Sequence, residues 1–124
     1  MRVLVTGGRG FSDGAFVFAL LDALHERRAV TAIIHGTSPG AAASAAHWAA
    51  LRGIPEEPFE ADHEAHGAAA EAIRNTRMIA AGPDLVVVLP GGRHTAICRR
   101  QAEAAGLKVF VPVYRGAVYQ PCED

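Results

Sequence analysis

The chain has 124 residues, half of them apolar and a fifth charged, with a formal net charge of −1. That length suits one core of ordinary size, and the near-neutral balance excludes a disordered chain or a basic surface made for nucleic acid or anionic lipid. No apolar run approaches the roughly 20 residues of a membrane span, and the two cysteines, Cys98 and Cys122, form neither a disulfide framework nor a CxxC site.

"MRVLVTGG" enters a strand pattern at once, without the apolar stretch and cleavage site of a signal peptide, so a cytoplasmic location is expected. The first strand, "VLVT", ends at Gly7-Gly8. After the loop "RGFSDG", Ser12 or Asp13 is placed to cap a helix, whose apolar face is Phe16, Leu20, Ala23 and Leu24. The second strand, "AVTAIIH", runs into the glycine turn "HGTSPG", and an alanine-rich helix follows from Ala41 to about Leu51, stopped by Gly53. "IPEEPFEAD" reads as a short third strand, peripheral because prolines interrupt it. A helix from about Gly67 to Ala81 closes at Gly82-Pro83. "LVVVL", continuous in apolar residues, is a fourth strand buried on both faces. The helix "HTAICRRQAEAA" ends at Gly106, and "KVFVPV" is the fifth strand.

Strands alternating with helices predict a single doubly wound α/β domain: a mainly parallel, five-stranded, Rossmann-like sheet with helices on both faces. Residues 1–113 are assigned to this domain and 114–124 to a C-terminal tail. Three of the strands end in glycine turns that precede a helix. In a parallel sheet these turns share the edge where ligands bind, and a helix N-terminus there suits an anionic oxygen. The expected ligand contacts are Gly7, Gly8 and Arg9 in the first turn, and Gly36, Thr37, Ser38 and Gly40 in the second. Gly91, Gly92, Arg93, His94 and Thr95 are expected in the last, where "PGGRHT" is read as the phosphate seat. There is no GxxxxGK[ST], and the first turn departs from the dinucleotide fingerprint because Asp13 stands where the third glycine belongs.

Together "VTGGRGFSD", "IHGTSPGAAASAAHWA", "EAD…HGAAAEAIRNTRM" and "VVVLPGGRHTA" resemble the YspA/YpsA-related branch of the SLOG superfamily, named for the Smf/DprA and LOG proteins. The similarity runs from Met1 to about Val113. It implies a Rossmann-like fold that binds nucleotides or nucleotide-derived ligands. It also implies a route to catalysis, because LOG-type relatives cleave the N-glycosidic bond of nucleoside monophosphates with a helix arginine and a glutamate. The arginine carries over to Arg74, with Asn75 and Met78 completing the match; Arg74 and Asn75 are thereby expected at the ligand. The glutamate position is Cys98, and the final glycine of the LOG turn is His94. Ala42 and Ala68 stand where relatives carry an aspartate and a lysine.

Three functions follow. The first is binding, sensing or processing of a nucleotide-derived small molecule; the second is a phosphoribohydrolase using Arg74. The third is a degenerate, non-catalytic interaction module. A homodimer or higher homo-oligomer is expected from the resemblance and the alanine-rich helices, with no nucleic-acid or membrane partner and no resident cofactor. Asp62 and Glu71 are the nearest substitutes for the missing carboxylate. Glu71, three residues before Arg74, reads as half of a surface ion pair. "HEAH", residues 63–66, lacks the i, i+4 spacing of a zinc helix and reads as a loop, so no metal site is expected; the resemblance gives His63 a stacking role. Trp48 is assigned to the core or a dimer interface, Cys98 to the core, Cys122 to an exposed thiol, and Arg99 and Arg100 to a solvated helix face.

Overall fold

A computed structural model describes residues 1–116. The order along the chain is β1 (Arg2–Thr6), α1 (Gly14–Arg27), β2 (Ala32–His35), α2 (Ala41–Arg52), β3 (Glu56–Pro58) and α3 (His63–His66). A 3₁₀ turn (Gly67–Ala69) follows, then α4 (Ala70–Ala80), β4 (Leu85–Val88), α5 (Arg93–Ala104) and β5 (Val109–Phe110). The strands form one parallel sheet in the order β3-β2-β1-β4-β5. This is the expected Rossmann-like α/β fold.

Alternation along the strands divides the core into two layers. Val3, Val5, Ile33, Leu85 and Val87 face α1 and α2, where they meet Val17, Leu21, Ala45 and Trp48. Leu4, Ile34, Val86 and Val88 face the opposite way and meet Met78 of α4 and Cys98 and Ala102 of α5. Register aligns each layer across the sheet: Val3 pairs with Ile33 and Leu85, and Leu4 with Ile34 and Val86. β4 is buried throughout, as its unbroken apolar run requires. From β1 the chain winds outward through β2 to β3, then returns to the other side of β1 as β4. The order therefore reverses between β1 and β4, which puts the crevice of an open sheet at their C-terminal ends.

Helix boundaries follow local chemistry. Of the two candidate caps, Asp13 is the one used: its Oδ1 accepts from Phe16 N at 3.0 Å. Gly53, at φ +68°, ends α2. "HEAH" is helical, not a loop, because Asp62 Oδ1 accepts from Ala65 N at 3.0 Å and closes one turn. β5 is shorter than the expected "KVFVPV": it is an edge strand, and Pro112 has no N–H with which to extend it. Trp48 belongs to the core, not to an interface; its ring is fully buried and Nε1 donates to Asp22 Oδ1 at 2.8 Å. At the start of the tail, Tyr114 Oη donates to Asp13 Oδ2 at 2.8 Å and its ring packs edge-on to Phe11 and Phe16. The Cys122 thiol lies outside the described residues.

Candidate functional site

The three glycine turns meet at the C-terminal edge of β1, β2 and β4, and they interlock. Gly8 N donates to the Pro90 carbonyl at 2.8 Å, and the Gly8 carbonyl accepts from Phe11 N and Ala41 N, each at 3.2 Å. A Cβ on Gly7 would sit 2.5 Å from Ala41 Cβ and 2.8 Å from Leu89 Cβ. One on Gly91 would strike Thr95 Oγ1 and come within 2.7 Å of Gly8 N. A Cβ on Gly36 would land on the guanidinium of Arg74. Much of the glycine at this edge thus lets the protein close on itself, a different reason from the ligand approach expected of it.

Beside the interlocked turns lies a polar cleft between the end of β1, the first half of α4 and the start of α5. Its deep end, about 30 Å³, is lined by Thr6, Gly7, Ala42, Asn75, His94 and Thr95. It shares Arg9, Gly36, Ser38, Glu71 and Arg74 with an outer lobe of about 190 Å³, which extends over Thr37, Pro39, Glu60, Ala61 and His63.

Arg74 reaches the cleft because α4 buries the face formed by Ala70, Arg74, Asn75 and Met78. Its guanidinium is held on two sides: Nη1 donates to the Gly36 carbonyl at 2.7 Å and Nε to Asn75 Oδ1 at 3.0 Å. Nη2 faces Glu71 Oε1 at 3.5 Å. Burial pulls the guanidinium below its ordinary range, an effect that Glu71 opposes and Arg9 reinforces. The other Glu71 oxygen, Oε2, lies 3.3 Å from His94 Nε2, so one carboxylate bridges α4 and α5. At α5, Gly92 is the N-cap and offers no side-chain acceptor, unlike Asp13 at α1. Among the described residues α5 thus starts without a side-chain cap, and His94 and Thr95 of its first turn line the cleft.

Of the residues expected at a ligand, Gly7, Arg9, Gly36, Ser38, Arg74, Asn75, His94 and Thr95 line the deep end together, with Thr37 in the outer lobe. Gly8 and Gly40 are taken up in the interlock; Gly40, at φ +80°, packs on the carbonyls of Gly8 and Arg9. Gly91 and Gly92 face a separate cavity of about 230 Å³ beside Arg99, Val111 and Pro112. Arg93 is exposed.

The reading of Glu71 as half of a surface pair is corrected, because its side chain is only 13% exposed and lines both parts of the cleft. The missed signal was the four-residue spacing of Ala70, Arg74 and Met78, which turns Arg74 inward and brings Glu71 with it. Ala42 also lines the deep end. Cys98 lies one helical turn beyond Thr95 in the core, where burial pushes its thiol up while Thr6 and Arg74 oppose the shift. Among the described residues no group of three or more His, Cys, Asp and Glu side chains is arranged to hold a metal.

An all-parallel sheet with helices around it, and a cleft lined by Arg9, Arg74 and Glu71 at the ends of its strands, defines a Rossmann-like α/β protein. The family described as YAcAr, the YspA, cpYpsA-related SLOG family, matches residues 1–66. The Gene 61 protein of Mycobacterium phage D29 is 38% identical over 119 residues, covering 88% of this chain and 94% of the phage protein. The chain belongs to the YspA/cpYpsA-related SLOG family, and that membership points to nucleotide-related binding or processing. Among the described residues no helix is long and apolar enough to cross a membrane.

Proposed function

We propose that the cleft binds a phosphate-bearing, nucleotide-derived ligand, with the phosphoryl group at the deep end and ribose and base in the outer lobe. The observation that carries this reading is the buried Arg74 guanidinium, fixed on two sides where it lines the cleft, with its third nitrogen against Glu71. The lining of the two parts supports the orientation, since Asn75, His94 and Thr95 line the deep end but not the outer lobe, which takes Glu60, Ala61 and His63. Ser38 and Thr95 supply hydroxyls at the deep end, and the uncapped start of α5 supplies N–H groups. Glu60 and His63 line the outer lobe, where a base carries its own donors and a face for stacking.

Thermal shift and calorimetry with AMP, ADP-ribose, NAD and cyclic nucleotides test this. At least one is expected to bind, and at about 100 times its Kd to stabilise the protein by about 2.7 kcal/mol. Arg74→Ala abolishes that response while the protein stays folded by circular dichroism. Absence of any response at millimolar ligand contradicts the reading.

Glu71 favours a second, enzymatic reading, because a carboxylate stands in the cleft although the LOG position carries Cys98. Glycoside cleavage needs such a group to stabilise charge on the ribose or to activate water. This reading expects free base from a nucleoside monophosphate, lost in Arg74→Ala and Glu71→Gln. A cytoplasmic homodimer or higher homo-oligomer completes the proposal, and light scattering measures its mass.

A further inference from the structure

We infer that the oxyanion subsite of the cleft is the gap between Arg74 Nη2 and His94 Nε2, and that the Glu71 carboxylate occupies it until a phosphoryl group displaces it. The inference rests on the reading that this cleft takes a phosphate-bearing ligand, and it goes further by naming the atoms and the competitor.

Three observations lead there. The first is the bridge. Glu71 directs one oxygen to each of two nitrogens carried by different helices, as two oxygens of a phosphoryl group do when they join a guanidinium and an imidazole. The second is the slackness of the bridge. Charge-assisted hydrogen bonds close to about 2.7–2.9 Å, whereas these contacts are 3.5 and 3.3 Å. The remaining bonds of Arg74, at 2.7 and 3.0 Å, hold the guanidinium through Nη1 and Nε, and among the described residues Nη2 has the loose one alone. The third is position. Glu71 lies where the deep end meets the outer lobe and lines both, so its side chain has space to leave the first without unfolding α4.

Energetics agree with exchange. A nearly buried carboxylate whose contacts are this long recovers little of the cost of leaving water, and a phosphoryl group carries more charge and more acceptor atoms into the same gap. Glu71 then has two effects. It keeps the buried Arg74 charge compensated in the free protein, and it weakens every oxyanion by the cost of its own displacement.

Calorimetry with inorganic phosphate and with AMP, on wild type, Glu71→Gln and Glu26→Gln, tests the inference. Glu71→Gln is expected to bind both probes at least about fivefold more tightly than wild type, the effect of removing a competing ion pair. Glu26→Gln removes the same charge from the exposed C-terminal end of α1, away from the cleft, and is expected to leave phosphate affinity unchanged. In Glu71→Gln/His94→Gln the gain disappears, because one wall of the subsite is gone. Equal gains in the two single variants reveal a general charge effect and overturn the inference. So does wild-type binding that Glu71→Gln leaves equal or weaker, although the nucleotide reading then stands. If Glu71→Gln gains phosphate while the whole nucleotide panel fails, the subsite is supported and the nucleotide reading falls. Silence from every variant toward both probes overturns the subsite.

Discussion

Arg74 and Gly36 form a pair that neither residue explains alone. A guanidinium this buried needs acceptors for its N–H groups, and the Gly36 carbonyl supplies the shortest bond. That bond requires the backbone at 36 to come so near the guanidinium that a Cβ has no space. Gly36→Ala therefore acts on Arg74: the methyl group pushes the guanidinium off the carbonyl, and one charge-assisted hydrogen bond is lost, about 1.5–3 kcal/mol. The expected result is about tenfold weaker binding of whichever nucleotide wild type takes. Calorimetry reads this loss, and unchanged affinity would show that Gly36 does not position Arg74. Sequence reasoning found both residues but not their relation, since they are 38 positions apart. It named Glu71 but read it as a surface residue, because i, i+3 spacing defines a neighbour without defining which side of the helix meets solvent.

At the scale of elements, β1, β2 and β4 and the helices between them were legible because each carries a clear apolar pattern, most of them closed by a glycine turn. The short elements were not. α3 exists through a single Asp62 cap, and β5 is limited by Pro112, so a few atoms decide structures that periodicity does not register. The α1–α2 pair has its own polar link, in which Asp22 accepts from Trp48 Nε1 and from Arg52 Nε at 3.0 Å and Nη2 at 2.9 Å. These bonds, Arg52 first and Trp48 next, hold the Asp22 carboxyl below its ordinary value. The folded state then prefers the ionised form. The stabilisation is complete above the carboxylate range of the unfolded chain and is lost as pH falls through the folded value. Asp84, held low by Arg2 N, acts in the same direction. Urea midpoints at pH 6 and pH 3 are expected to fall in wild type and to fall less in Asp22→Asn. An equal drop in both would remove Asp22 from the acid sensitivity. Trp48→Ala opens a cavity under the same pair and is expected to cost about 3–5 kcal/mol in urea denaturation.

For the whole molecule, topology and function are one problem. The strand order brings the ends of β1, β2 and β4 together, and the glycine turns at those ends fasten to one another. The cleft is what remains between that fastened edge and α4. Repeated glycine turns therefore pointed to the edge of the sheet where the cleft lies, while the division of labour among them lay outside the reach of sequence: only three-dimensional contact separates a glycine that closes a turn from one that lines a cleft. Amide chemical-shift mapping measures the central claim most directly, with isotope-labelled protein titrated with the nucleotide that gives the largest thermal shift. The account predicts the strongest perturbations at Gly36–Ser38, Glu71–Asn75 and His94–Thr95. Perturbations gathered instead around Met1, Arg27, Arg28 and Lys108, at the opposite end of the strands, would contradict it.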